Sequence, residues 1–103
     1  MTETFADMQI DKKALFEEVD RKLSFKNSNY ADREHVFLNF DVGAVLLRTN
    51  RIKYGLSLLA KHMVRLMFYG DTMTMNDLLE VVTDSMAYLV LIYSMRRQNE
   101  IQV

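Results

Sequence analysis

Along most of the chain, apolar residues recur every three or four positions, which is the spacing of one face of an α-helix. Stretches with this pattern cover about residues 12–26, 36–48, 51–69 and 74–97. The chain contains no proline and only three glycines, so few residues interrupt these helices. The pattern predicts an all-α fold, a four-helix bundle that forms a single domain over residues 1–103.

Three segments lack the helical pattern. Residues 1–9 show no periodicity and are predicted to form a loose N-terminal arm. Residues 27–36 begin with Asn, Ser and Asn, which favour turns, and are predicted to form an irregular loop between the first two helices. The connection over residues 70–73 is short, which predicts that the last two helices pair as an antiparallel hairpin. Gly70 fits the end of the third helix, where a left-handed backbone is favoured.

The first predicted helix has a narrow apolar stripe made of Phe16, Val19 and Leu23. Its polar side carries two pairs of opposite charge four residues apart, Glu17 with Arg21 and Glu18 with Lys22. Such pairs stabilise an exposed helix modestly. A solvated helix face therefore explains these charges.

The last predicted helix changes character halfway along its length. Near its start, after a predicted N-cap at Thr74, the carboxylates of Asp77, Glu80 and Asp84 share one face. Residues 86–93 are apolar on every side, which indicates burial in a bundle or against a second copy of the chain. The acidic stripe fits either a solvated face with a salt-bridge partner or a divalent-cation site, because a cation removes the repulsion between neighbouring carboxylates.

The amino-acid composition excludes several kinds of partner and of site. The net charge of −1 gives no basic excess for nucleic acid or an anionic membrane, so neither partner is expected. The absence of cysteine excludes disulfides and thiolate metal sites. The longest apolar run has eight residues, short of the roughly 20 that span a bilayer, and the N-terminus lacks a signal-peptide pattern. A soluble, cytoplasmic protein is expected.

Several short motifs occur in an order and spacing that resemble a known family. They are Lys26-Asn27-x-x-Tyr30-x-Asp32, Phe37-x-Asn39-Phe40, His62-x-x-Arg65-Leu66 and Glu80-x-x-x-Asp84-x-x-x-Tyr88. In combination they resemble the MazG-like all-α nucleotide pyrophosphohydrolases, and in particular the short forms common in bacteriophage genomes. The resemblance covers about residues 23–95.

The resemblance implies hydrolysis of a nucleoside triphosphate to the monophosphate and pyrophosphate, dependent on Mg²⁺ or, as a substitute, Mn²⁺. Glu80 and Asp84 take the place of the catalytic metal ligands, and Asp77 joins them on helix geometry alone. The implied nucleotide-binding residues are Lys26, Asn27, Tyr30, His62 and Arg65. Because a triphosphate is densely negative, a carboxylate-lined cleft can approach it only through such cations.

The chain also departs from the family pattern. Ala31 replaces a glycine, His62 a lysine and Ala87 an asparagine, and Arg21 falls where a third acid of the first metal-binding helix is usual. These losses support a second hypothesis, in which the same bundle is a non-catalytic binder that sequesters nucleotides or, like a phage-type inhibitor, docks on a host protein. Under either hypothesis we expect a homodimer or tetramer that associates through the last helix.

Overall fold

The computed structural model describes residues 4–30 and 37–101, with the side chains of 4–24 and 37–99. Within these ranges the chain forms four helices and no strand, which confirms the predicted all-α fold. The helices are α1 (Phe5–Tyr30), α2 (Leu38–Leu46), α3 (Arg51–Tyr69) and α4 (Met75–Ile101). The bounds of α3 match the prediction at both ends. Thr74 caps α4 as expected, since its hydroxyl accepts the backbone N–H of Asp77 at 3.1 Å.

The first helix is longer at both ends than the sequence pattern predicts. It begins at Phe5 because Thr4 and Asp7 cap it reciprocally, with the Asp7 N–H donated to the Thr4 hydroxyl at 3.2 Å and the Thr4 N–H donated to the Asp7 carboxylate at 3.1 Å. The prediction of a loose arm is therefore wrong for residues 5–9. The helix also continues to Tyr30, so the loop predicted over residues 27–36 begins later than expected. Residues 31–36 lie outside the described residues.

The left-handed backbone position occurs at a different helix end from the one predicted. Gly70 has φ −59° and ψ −33°, which is right-handed, because the chain continues into a further turn after α3. Arg48 is left-handed instead, with φ 54°. There the Arg48 N–H bonds to Val45 O and the Thr49 N–H bonds to Ala44 O, which is the pattern of a Schellman motif closing α2.

An antiparallel hairpin of α3 and α4 forms the centre of the molecule, as predicted from the short connection, and α1 packs on α4 while α2 packs on α3. A Cβ added at Gly43 would overlap the Tyr54 ring, so the glycine lets α2 approach α3 closely. The buried apolar side chains that join the helices are Val19, Phe40, Ala44, Leu59, Val81, Ala87 and Met95.

Both outer helices cover the same side of this hairpin. The Phe40 ring of α2 packs edge-on against the rings of Tyr54 on α3 and Tyr88 on α4, with ring centroids 6.3 Å and 6.4 Å apart. Helix α2 therefore lies over the groove between α3 and α4. Lys22 of α1 contacts Asp84, which lies one turn before Tyr88 on the same face of α4. The opposite side of the α3–α4 hairpin is not covered by any described helix.

The segment Met75–Asn99 of α4 is long and apolar enough to cross a membrane, judged by length and composition alone. The most apolar 18-residue window of this segment has a mean hydropathy of 1.4, and 28% of that window is buried. Core helices of soluble proteins pass the same test, and the segment includes Asp77, Glu80 and Asp84. The expectation of a soluble protein is compatible with this helix and stays a prediction.

Candidate functional site

A buried lysine lies at the centre of the acidic stripe of α4. Lys22 is only 6% exposed, although it is a charged residue on α1. Its ammonium donates to Asp84 Oδ1 at 2.9 Å, Glu80 Oε2 at 3.1 Å and Thr83 Oγ1 at 2.7 Å, and it lies 3.2 Å from the carbonyl oxygen of Glu80. Four oxygens of one helical turn therefore surround a single positive charge.

The helical repeat of α4 explains why these oxygens converge. Glu80, Thr83 and Asp84 are spaced by three and four residues, so their side chains leave one face of the helix together. The Thr83 hydroxyl is fully buried and donates to Leu79 O at 2.6 Å, which leaves its lone pairs free to accept from Lys22. The aliphatic stem of Lys22 lies in the α1–α4 interface, and the ammonium reaches the polar turn beyond it.

The electrostatics of the cluster differ between its two carboxylates. The Glu80 side chain is 59% exposed and the Asp84 side chain 25% exposed, so water screens the Lys22–Glu80 pair more than the Lys22–Asp84 pair. Lys22 offsets the repulsion between the two acids, which lie one turn apart. Burial and, after it, the negative charge of Asp84 raise the pKa of the Tyr88 hydroxyl above its ordinary value.

Only part of the set implied by the family resemblance comes together. Glu80 and Asp84 share the cluster, and the His62 ring lies against the Tyr88 ring with centroids 5.3 Å apart. Arg65 is exposed on α3, and no hydrogen bond or ion pair with a described residue is found for it. Asp77 is exposed at the start of α4, where its backbone N–H bonds to Thr74.

Three of the implied nucleotide-binding residues lie at the end of α1. Lys26, Asn27 and Tyr30 are part of the helix backbone rather than of an irregular loop. Their side chains lie outside the described residues. The nucleotide-binding role of these residues therefore stays a prediction.

The residues present do not fit a divalent metal at this position. Mg²⁺ requires near-octahedral oxygen ligands, of which one or two are usually carboxylates. Here the two carboxylates already accept from the ammonium of Lys22, and a dication between them would lie beside a fixed positive charge. In the described ranges there is also no group of three or more Asp, Glu, His or Cys side chains that could hold a metal ion.

The contact of Lys22 with α4 was not predicted from the sequence. The charge pattern of α1 pairs Lys22 with Glu18 along the helix, whereas in the structure Glu18 pairs with Arg21 and Lys22 turns to α4. The position of Lys22 in the sequence could have indicated this contact. Lys22 adjoins Leu23 and lies three residues after Val19, so it is on the edge of the apolar stripe. A lysine at that edge reaches a neighbouring helix with its charge while its stem stays among apolar side chains.

Comparison with known proteins found no match to this chain. No protein-family model matches the chain, and neither a curated protein nor a solved structure matches it. The resemblance to MazG-like enzymes therefore rests on the motifs alone.

Proposed function

We propose that the chain is a non-catalytic binding protein built on a helical bundle, in which Lys22 replaces the divalent cation of a nucleotide pyrophosphohydrolase. The observation that carries this proposal is the ammonium of Lys22, held by oxygens of Glu80, Thr83 and Asp84. An ammonium offsets the charge of the acids, as a metal does. It provides neither a Lewis acid for the phosphoryl group nor a bound water of lowered pKa.

Displacing Lys22 to admit a metal would carry a high energetic cost. The side chain is almost fully buried and its ammonium has four oxygen neighbours, so moving it breaks several charge-assisted hydrogen bonds at once. An incoming triphosphate would add negative charge beside the half-exposed Glu80. Both effects oppose the metal-dependent chemistry that the motifs imply.

A surface on α2 supports binding of a partner protein. The inner face of α2 is buried, yet its outer face is also apolar and exposed. The exposed residues of that face, here called the α2 outer face, are Leu38, Val42, Val45 and Leu46. Contiguous exposed apolar residues commonly mark a protein-binding site, and a net charge of −1 does not favour nucleic acid. We therefore propose a protein, such as a host protein, as the ligand.

A hydrolase remains the second candidate, because Asp84, Tyr88 and His62 lie together on the covered side of the hairpin. One assay distinguishes the two. The purified chain is incubated with a panel of NTPs and dNTPs in Mg²⁺ or Mn²⁺, and pyrophosphate release is compared with that of the double variant Glu80→Ala/Asp84→Ala. We expect equal, background release from both proteins. Release by the native chain that the double variant abolishes would overturn the non-catalytic proposal.

The binding half of the proposal has its own experiment. Tagged protein is used to capture partners from a bacterial lysate, together with the variants Val45→Asp/Leu46→Asp and Glu80→Ala/Asp84→Ala. We expect one stoichiometric protein partner that the first variant loses and the second retains. Capture that survives charges on the α2 outer face, or no stoichiometric partner at all, would contradict it.

A further inference from the structure

The uncovered side of the α3–α4 hairpin carries two apolar stripes with identical spacing. On α3 the stripe consists of Leu56, Ala60, Met63 and Met67. On α4 it consists of Val82, Met86, Leu89 and Tyr93. Both stripes advance by four, three and four residues, which is the seam of a helix that packs knobs into holes against another helix. We call the two stripes together the open face.

The stripes lie away from the covering helices. At about 100° per residue, the α4 stripe is centred some 150° or more around the helix from Asp84, which contacts α1. By the same count the α3 stripe lies about 150° from Tyr54, which contacts α2. Since α1 and α2 cover one side of the hairpin, both stripes belong to the other side.

The exposure of the open face is large for a folded chain. Met67 is 83% exposed and Tyr93 68% exposed, with Leu56, Met63 and Leu89 also exposed. The large side chains of the open face leave roughly 600–800 Å² in water, close to the contribution of one partner in a standard interface.

We infer that the open face binds the open face of a second copy of the chain, so that two α3–α4 hairpins form a four-helix core. Two stripes with the same repeat on antiparallel neighbours match the geometry of such bundles. Because the net charge of the chain is only −1, charge repulsion between two copies is weak. A lipid bilayer fits less well, because α4 is joined to the charged helix α1 through the Lys22 cluster. The inference does not depend on whether the chain hydrolyses nucleotides.

Sedimentation equilibrium at micromolar concentration tests the inference. We expect the native chain at twice its mass of 12.1 kDa. The variant Met67→Glu/Tyr93→Glu should weaken the dimer at least 100-fold with unchanged helical circular dichroism, because both side chains are exposed in one protomer. The matched control Val45→Glu/Leu46→Glu places two charges at equally exposed positions of the α2 outer face and should stay dimeric.

Other outcomes overturn the inference. A native monomer that sediments with neutral phosphatidylcholine vesicles would identify the open face as a lipid surface, and a monomer that ignores vesicles would leave it without a second copy. A dimer that persists in Met67→Glu/Tyr93→Glu, or that is lost only in the α2 control, would move the interface elsewhere. If the glutamate variant loses helical signal, Met67→Ser/Tyr93→Ser replaces it with the same expected result.

Discussion

Removing the charge of Lys22 is the perturbation that most directly measures the cluster on α4. Lys22→Met keeps an unbranched stem of similar length and deletes only the ammonium. In the variant, the carboxylates of Glu80 and Asp84 lose their shared cation and repel each other one turn apart. The fold should survive, because the Thr83 hydroxyl keeps its bond to Leu79 O.

The exposure of each partner sets the expected cost. Breaking a fully buried ion pair by removing one member costs about 3–5 kcal/mol, whereas an exposed pair contributes less than about 1 kcal/mol. Asp84 is largely shielded and Glu80 is more than half exposed, so the cluster lies between these limits. We expect Lys22→Met to lower the free energy of unfolding by about 2–3 kcal/mol, which lowers the Tm of a domain of this size by roughly 10–20 °C.

The assay is urea unfolding followed by circular dichroism at one fixed protein concentration, because self-association makes stability depend on concentration. Lys13→Met is the matched control, since Lys13 is an exposed lysine on the same helix and its loss should change stability by less than about 0.5 kcal/mol. Asp84→Asn combined with Lys22→Met closes a double-mutant cycle, in which we expect a coupling above about 1 kcal/mol. A cost for Lys22→Met no larger than that of Lys13→Met would show that the Lys22 ammonium does not stabilise the fold through Glu80 and Asp84.

Three further substitutions test other parts of the structure. Gly43→Ala should lower stability by about 1–2 kcal/mol despite the better helix propensity of alanine, because its Cβ overlaps the Tyr54 ring; a stabilised protein in urea unfolding would contradict this packing. Arg48→Gly should raise stability by roughly 0.5–1 kcal/mol in the same measurement, because it relieves a left-handed residue, and a loss would contradict the backbone assignment. The Tyr88 hydroxyl has a raised pKa in the folded chain, so the unfolded chain loses the hydroxyl proton at a lower pH than the folded chain does. The free energy of unfolding therefore falls as the pH rises through about 10. In Tyr88→Phe the alkaline loss of stability should be shallower than in the native chain, and an equally steep loss would contradict the raised pKa of Tyr88.

The regular parts of the fold could be predicted because local signals agree there. The Asn50 side chain accepts the Lys53 N–H and caps α3, whose apolar repeat then runs without a break to Tyr69. The short link after Tyr69 allows only an antiparallel return of α4. Where capping, repeat and loop length point the same way, the sequence determines the element bounds closely.

The parts that were missed depend on single side chains. The start of α1 depends on the reciprocal capping of Thr4 and Asp7, which occurs before any apolar repeat. The left-handed Arg48 could not be predicted from residue type, because glycine is the usual residue there. The Lys22 cluster depends on which way one side chain turns between two helices, and the charge pattern of α1 alone offered Glu18 as an equally good partner.

Mn²⁺ binding, followed by electron paramagnetic resonance, reports whether the Lys22 ammonium takes the place of a metal between Glu80 and Asp84. The native chain should leave millimolar Mn²⁺ free in solution. Lys22→Ala, which vacates the position but keeps both acids, should bind Mn²⁺ at millimolar concentration, because a cation then offsets the repulsion between the two carboxylates. Binding of one Mn²⁺ at micromolar concentration by the native chain, lost in Glu80→Ala/Asp84→Ala, would show instead that these two acids hold a metal.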